Sequence, residues 1–260
     1  DLAGFLDAHL HLPPGTYGLG VDFGQSPDPT EVAIVRAEGA RLALVARISL
    51  RGIAYHEQGW VLGKTVHERV RPALGWGVDG TGVGSAVEQH IREHLENPHD
   101  LSSYQWNRSV PLIDPRTLEP LADEQGRERT VSTKEMATQV LENLLATFDL
   151  ELPHDPEVTE QLENHNATLS PSGARRFDKK DDHIVDALRG AALRRFDLEH
   201  GLALSPPPLE SVFTLDRGSR TVRESRSALE GFARGAQSLR GGAEGAASLR
   251  SGRLGAGGLR

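Results

Sequence analysis

The sequence predicts an α/β domain built on a mixed sheet: an antiparallel three-strand meander plus parallel strands, with helices on both faces. Two observations carry this prediction. Three strand-like runs follow one another between residues 17 and 50, and strand and helix patterns alternate after them. The chain has 260 residues, which is enough for one well-formed core with a small appendage.

The three strand-like runs predict the meander. The first is Tyr17 to Phe23, an apolar stretch that delivers Asp22 into a glycine-containing turn. The second and third cover residues 31–37 and 41–50, and Glu38-Gly39 between them is typical of a tight hairpin. An acid at the end of a buried strand is held rigidly, as a metal or phosphate ligand must be.

The middle of the chain changes to helical periodicity. Residues 61–72 predict a helix, and residues 75–80 predict a fourth strand that ends on Asp79. A glycine-rich turn then leads into a helix over residues 83–95, whose apolar side chains recur every four residues. This order of elements indicates helices on both faces of the sheet.

The polar segment 97–131 is interrupted by prolines, and within it Val110 to Ile113 predicts a fifth strand. Tyr104, Trp106 and Arg108 alternate in the same segment. This alternation fits the face of a strand. It also fits an exposed surface on which nucleic-acid bases stack and phosphates bind.

The last third of the domain is predicted to be mainly helical. Ser132 or Thr133 caps a helix that runs to about Thr147. A short strand and a short helix follow, with Pro156 in the first turn of that helix. A final helix is predicted from Asp181 to Phe196.

Composition divides the chain into three parts. Residues 1–16 are a lead-in, residues 17–205 are the domain, and residues 206–260 form a tail rich in Gly, Ala and Arg. We expect this tail to be disordered, because it lacks the apolar surface that would offset its loss of entropy on ordering. The tail carries nine Arg against five acids, so its charge is +4 and that of the rest is −12.

The overall charge and composition exclude several classes of protein. A net charge of −8 does not suggest a nucleic-acid binder on bulk electrostatics, although carboxylates clustered for Mg²⁺ would account for part of it. The chain has no cysteine, so disulfides and thiolate metal sites are excluded. No apolar run approaches the length of a membrane span.

Three acidic stretches form the predicted site. Asp182 and Asp186 share one face of the final helix, although acids at a helix start are also explained by capping and by the helix dipole. If the first and fourth strands are neighbours, Asp22 and Asp79 project from one sheet edge, and the final helix brings in Asp182 or Asp186. Oxygen ligands of this kind suit Mg²⁺ or Mn²⁺ rather than Zn²⁺. Two such ions about 4 Å apart would activate a water for phosphodiester hydrolysis.

Three segments carry a resemblance to a known family: GVDFGQSPDPTEVAIV at 20–35, GWGVDGTGVGSAVEQHI at 75–91 and KKDDHIVDALRGAALRR at 179–195. Together they resemble the ribonuclease-H-like superfamily, and within it the nuclease domain of the large terminase subunit of tailed viruses. The resemblance covers roughly residues 17–197. It implies a ribonuclease-H-like fold and a metal-dependent endonuclease that cuts double-stranded viral DNA concatemers during genome packaging.

The resemblance also implies roles for individual residues. Asp22 would bridge two Mg²⁺ or Mn²⁺ ions and Asp79 would bind one of them. Because family members differ at the helix start, the last ligands are drawn from Asp182, His183 and Asp186, with Asp182 and Asp186 favoured. Asp28 and Asp181 are predicted accessory acids. Basic residues ahead of the final helix are predicted to contact the DNA backbone: Arg175, Arg176, Lys179 and Lys180.

The family further implies partners and a place of action. These partners are a terminase ATPase domain, the small terminase subunit and the portal, with no membrane, in the cytoplasm of the host cell. The sequence itself has no GxxxxGK[ST] motif for ATP hydrolysis. Three alternatives stay open. They are an actin- or sugar-kinase-like ATPase domain, a Holliday-junction resolvase, and a non-catalytic docking domain of the packaging machinery. The first is kept because DFGQS at 22–26 and DGTG at 79–82 resemble the two phosphate loops of that family.

Overall fold

The structure is a computed structural model that describes residues 2–24, 27–82, 84–114, 117, 119–165, 167–169, 175–177, 182–202 and 204–205. Its strands are β1 (Thr16–Asp22), β2 (Thr30–Glu38), β3 (Arg41–Leu50), β4 (Trp76–Asp79), β5 (Leu101–Tyr104), β6 (Ser109–Pro111), β7 (Thr130–Ser132), β8 (Leu150–Glu151), β9 (Ala167–Leu169) and β10 (Arg175–Phe177). Its α-helices are α1 (Leu2–His9), α2 (Tyr55–Trp60), α3 (His67–Val70), α4 (Gly84–Arg92), α5 (Thr133–Ala146), α6 (Pro156–Glu163) and α7 (His183–His200). The π-helical turn Val61–Val66 joins α2 to α3, and a 3₁₀ turn spans Pro98–Asp100.

The main sheet has six strands in the order β5-β4-β1-β2-β3-β8. Strands β1, β2 and β3 pair antiparallel, which confirms the predicted meander. Strand β4 runs parallel to β1 with Val21 opposite Val78, so the first and fourth strands are neighbours as the site prediction requires. Strands β5 and β8 add parallel pairs at the two edges. The sheet is therefore mixed, as predicted.

Helices cover both faces of this sheet. Because side chains alternate along a strand, β2 sends Val32 and Ile34 to one face and Ala33 and Val35 to the other. The first face packs against α1, the π-helical turn and α4, and the second packs against α5, α6 and α7. Two apolar cores with helices on both faces confirm the predicted fold class.

Helix α7 packs unusually close to the sheet, because glycines line the contact. A Cβ atom placed on Gly20 of β1 would lie 1.8 Å from the carbonyl oxygen of Ala187. One placed on Gly77 of β4 would lie 2.0 Å from the carbonyl oxygen of Gly190. Only glycine fits at these two strand positions, and the backbone of α7 consequently rests directly on β1 and β4.

The predicted fifth strand is wrong in its position. The strand beside β4 is Leu101–Tyr104, whereas Val110 lies in the separate two-stranded hairpin of β6 and β7. Pro111 has no N–H to donate and is therefore unsuited to an interior strand. The polar residues of β5 find partners only in the folded chain: the Ser102 hydroxyl accepts from Arg194 at 2.7 Å.

The alternative of a base-stacking surface in this segment is also wrong. Tyr104 and Trp106 are both buried, and their rings stack on each other with centroids 6.3 Å apart. Tyr104 instead ends β5 and reaches Asp197 of α7 through its hydroxyl at 3.2 Å. Arg108 is exposed, but neither ring is available to a base.

Most helix predictions are confirmed with shifted ends. Ser132 caps α5 by accepting from the N–H of Glu135 at 3.1 Å. Pro156 is the first residue of α6, and α7 continues to His200. The helical run predicted at 61–72 begins earlier, at Tyr55.

The described residues up to Leu198, together with Leu202, Leu204 and Ser205, belong to one compact unit. The predicted lead-in contains α1, whose Leu6 and Leu10 are buried in the core. The predicted tail at 206–260 lies outside the described residues, so its expected disorder stays a prediction. In the part of the chain that the structure describes, no helix is both long and apolar enough to span a membrane.

Candidate functional site

The site begins at the carboxyl ends of two adjacent parallel strands. Asp22 is the last residue of β1 and Asp79 is the last residue of β4. Asp22 lies two residues after Gly20, and Asp79 lies two residues after Gly77. Because residues two apart in a strand face the same side of the sheet, both carboxyl groups lie on the face that α7 covers. The sheet thus presents two carboxyl groups at one edge, as the sequence predicted.

The first turn of α7 lies against this edge. The two acids Asp182 and Asp186 lie on the same side of α7 as Gly190, because these three residues are spaced four apart. Gly190 contacts β4, so this side of the helix faces the sheet. On the neighbouring stripe, His183 donates from Nδ1 to Oδ2 of Asp22 at 2.8 Å. The helix therefore brings one acid pair and one imidazole to the two strand-end acids.

The start of α7 is fixed by a side chain from another helix. Gln161 of α6 is buried, and its Oε1 accepts from the backbone N–H of Ile184 at 3.0 Å. This bond satisfies one of the unpaired N–H groups that every helix start carries. Gln161 thereby holds the turn that bears His183 and Asp186, a role that the sequence pattern did not predict.

Lys134 of α5 completes the charged cluster. Its Nζ lies 2.7 Å from Oδ2 of Asp186 and 3.4 Å from Oδ2 of Asp182. On the other side of Asp186, the guanidinium of Arg189 contacts Oδ1. The two helix acids are therefore balanced by two cations, one from α5 and one from α7 itself.

Burial and mutual repulsion raise the pKa values of the two strand-end acids, Asp79 and Asp22. Burial raises the pKa of Asp79 to about 7, the hydrogen bond from Thr81 opposes this, and the charges of Asp22 and Asp186 add to it. Burial also raises the pKa of Asp22, against the hydrogen bond from His183 and with the repulsion of Asp186. Asp186 is thus the helix acid whose charge reaches both strand-end carboxyls.

The pKa values of Asp182 and His183 at the start of α7 are raised as well. Burial and then the neighbouring charge of Asp186 raise the pKa of Asp182. The hydrogen bond to Asp22 raises the pKa of His183 above its ordinary value, and the negative charge of Asp28 acts in the same direction. Asp28 is therefore close enough to act on the site electrostatically, although it is exposed.

The donor chemistry of the site fits a hard divalent cation. The predicted ligands supply carboxylate oxygens and one imidazole, without sulfur, which suits Mg²⁺ or Mn²⁺. Crowded carboxyls with raised pKa values are also what a bound cation would stabilise in their ionised form. Within the described ranges, no three His, Asp or Glu side chains are arranged as a ligand group; the carboxylates instead contact Lys134, Arg189 and His183.

The predicted DNA-binding residues are only partly described. Arg175 of β10 places Nη1 at 2.8 Å from both carboxylate oxygens of Glu142 on α5. Three members of this set lie outside what the structure describes: the side chain of Arg176 and the whole of Lys179 and Lys180; the same holds for the predicted accessory acid Asp181, which is not one of the DNA-binding residues. Their contact with DNA stays a prediction.

A meander, parallel strands that end on acids, and a final helix that lays further acids beside them define a ribonuclease-H-like domain with an acidic site. Comparison with solved structures gives the same fold. The large terminase nuclease of thermophilic phage G20c with bound magnesium matches at a TM-score of 0.50 and 18% identity, over 70% of this chain and 83% of that one. A second structure of the same nuclease matches at 0.50 and 20% identity over the same shares. The nuclease domain of Thermus phage P74-26 gives 0.45 and 16%, over 72% and 82%.

The fold is therefore that of large terminase nuclease domains, as the three acidic segments predicted. No protein family matches the sequence, and no curated protein matches it.

Proposed function

We propose that the protein is a metal-dependent endonuclease that cuts double-stranded viral DNA concatemers during genome packaging. The observation that carries this proposal is the position of Asp22 and Asp79 at adjacent strand ends, with Asp186 within electrostatic range of both. The shared fold with a magnesium-bound terminase nuclease supports it. Such a site has the chemistry for phosphodiester hydrolysis.

The residues that would hold Mg²⁺ or Mn²⁺ are Asp22, Asp79 and Asp186, with Asp182 and His183 beside them. Bound there as a pair, the ions would lower the pKa of a water molecule and stabilise charge on the leaving oxygen. Asp186 is the favoured helix ligand, because its charge acts on both strand-end acids.

The chain's own residues prepare the site. The hydrogen bond from His183 Nδ1 occupies Oδ2 of Asp22 and fixes the orientation of that carboxylate. The N–H of Thr81 does the same for Oδ1 of Asp79 at 2.8 Å. Lys134 holds positive charge beside the helix acids and would attract a phosphate group as readily as it attracts carboxylates.

The wider role follows from the same proposal. We expect double-stranded DNA as the substrate, cut with little sequence preference, and a terminase ATPase domain, a small terminase subunit and a portal as partners, in the cytoplasm of the host cell. We assign the nuclease to residues 17–205 and treat residues 206–260 as a tail.

Plasmid digestion tests the proposal. Supercoiled DNA is incubated with the protein and Mg²⁺, Mn²⁺, Ca²⁺ or EDTA, beside the variants Asp22→Asn, Asp186→Asn and Asp182→Asn. We expect nicking and linearisation with Mg²⁺ or Mn²⁺ that EDTA, Asp22→Asn and Asp186→Asn each abolish. Residual cleavage by Asp182→Asn would assign the helix ligands to His183 and Asp186, and its loss would add Asp182.

A matched control separates loss of chemistry from loss of fold. Asp197 is a buried acid of the same helix, eleven residues after Asp186, that accepts hydrogen bonds from Tyr104 and from the N–H of Leu204. Asp197→Asn should keep its cleavage activity. Absence of cleavage with every metal, in a protein that is folded by circular dichroism, would reject the nuclease and favour a docking role.

A further inference from the structure

Arg189 is a buried cation that lies one turn after Asp186 on α7. Its side chain is fully buried, so its charge depends on partners within the protein. One terminal nitrogen, Nη1, contacts Oδ1 of Asp186 and lies 3.8 Å from Oδ2 of Asp182. The other, Nη2, contacts Nε2 of His165, which follows α6.

The contact with Arg189 determines which tautomer His165 adopts. A guanidinium only donates hydrogen bonds, so Nε2 of His165 must offer its lone pair. A neutral imidazole that accepts at Nε2 carries its proton on Nδ1. That Nδ1 lies 3.6 Å from Oδ2 of Asp182. Arg189 therefore acts on both Asp186 and Asp182 directly, and it also fixes the Nδ1–H form of the imidazole that lies beside Asp182.

An aromatic ring keeps both groups in place. Phe177 of β10 stacks on the His165 ring with centroids 5.3 Å apart and an angle of 21° between the planes. The guanidinium carbon of Arg189 lies 5.1 Å from the centre of the same Phe177 ring. Stacking of this kind restricts rotation of the imidazole and favours a cation over the ring face.

We propose that Arg189 and His165 form a positioning pair that orients the carboxylates of Asp186 and Asp182 for metal binding. Neither residue touches the substrate in this proposal, which rests on the proposed function. Partners of this type behind a metal ligand typically change metal affinity or activity by about 10- to 100-fold when they are removed. A purely structural ion pair would instead change stability and leave the metal affinity of the folded protein alone.

The first test measures Mn²⁺ affinity by titration calorimetry on the folded full chain. His165→Leu removes both the acceptor and the donor and should weaken Mn²⁺ binding by about 10-fold. His165→Gln can accept from Arg189 at Oε1 and donate to Asp182 at Nε2, so it should stay closer to the wild-type affinity. Arg195→Lys is the matched control, because Arg195 is a buried arginine of the same helix that bonds the carbonyls of Gly39 and Arg41. It should lower the melting temperature without changing Mn²⁺ affinity.

The second test reads the tautomer without metal or DNA. Nitrogen-15 chemical shifts of the His165 ring in the metal-free protein should identify the Nδ1–H form, and Arg189→Lys should reduce its population. An Nε2–H ring in the wild type, or wild-type Mn²⁺ affinity in His165→Leu, overturns the positioning pair. If the wild-type protein itself binds no Mn²⁺ and cuts no DNA, the proposed function fails, and the positioning pair falls with it.

Discussion

Neutralising Asp79 should stabilise the metal-free protein at high pH. Its folded pKa of about 7 lies above the ordinary value of 3.8. The carboxyl is therefore more easily ionised in the unfolded chain. The cost to folding is absent below about pH 4, grows between pH 4 and 7, and is complete above pH 7. Each tenfold difference in proton affinity is worth about 1.4 kcal/mol, which gives about 4 kcal/mol at pH 8 and about 2 kcal/mol at pH 5.

The variant Asp79→Asn should recover most of this free energy, because an amide oxygen can still accept from the N–H of Thr81. The assay is urea denaturation with EDTA at pH 8 and pH 5, where the gain at pH 8 should exceed that at pH 5 by about 2 kcal/mol. Mn²⁺ should cancel the gain, since the variant loses a proposed ligand. Asp123→Asn is the control: Asp123 lies at the surface, partly covered, and hydrogen bonds from Arg127 and Gln125 lower its pKa, so no gain is expected. An equal gain at the two pH values would refute the burial argument.

Three further variants test the packing and the charges around the site. Gly77→Ala, whose Cβ would lie 2.0 Å from the Gly190 carbonyl oxygen, should cost about 1–3 kcal/mol by urea denaturation. A milder loss is expected for Gly18→Ala, where the nearest contact is at 3.2 Å, and equal losses would contradict the close contact of α7. Lys134→Met removes a cation from two acids and should lower the stability of the metal-free protein by about 1–3 kcal/mol. Mg²⁺ should then raise the melting temperature of this variant more than that of the wild type. An equal rise in the two proteins would count against the proposed metal site. Ser132→Ala removes the α5 cap and should cost about 1 kcal/mol, whereas an unchanged denaturation midpoint would show that the cap contributes little.

The pattern of residues along the sequence was enough to predict much of the fold and the positions of two site acids. Asp22 and Asp79 each end an apolar run before a glycine-containing turn, and this pattern marks a strand end wherever it is found. Helix caps such as Ser132 are equally local, because they involve residues three apart. These predictions depend on contacts between near neighbours in sequence, so a single sequence contains them.

The position of β5 was not predictable in this way. Leu101–Tyr104 is half polar and short, and the Ser102 hydroxyl and the Ser103 N–H pair with Arg194 and Ser205, which lie about a hundred residues further along the chain. By its own residues, the apolar stretch Val110 to Ile113 has a stronger preference for a strand than Leu101–Tyr104. Tertiary hydrogen bonds overrode that preference, as commonly happens at strands with weak intrinsic propensity.

The sequence by itself determined that acids end the first and fourth strands and begin the last helix. Only the tertiary structure decided which groups surround them: Lys134 from α5, Gln161 from α6, and the Arg189 contact with His165. Lys134, Gln161 and His165 lie outside the three motif segments, and Arg189 lies within the last segment but contacts a residue 24 positions earlier, so each contact depends on how the helices pack on the sheet. That packing depends in turn on Gly20 and Gly77, whose missing side chains let α7 approach the strand ends closely enough for its acids to interact with theirs.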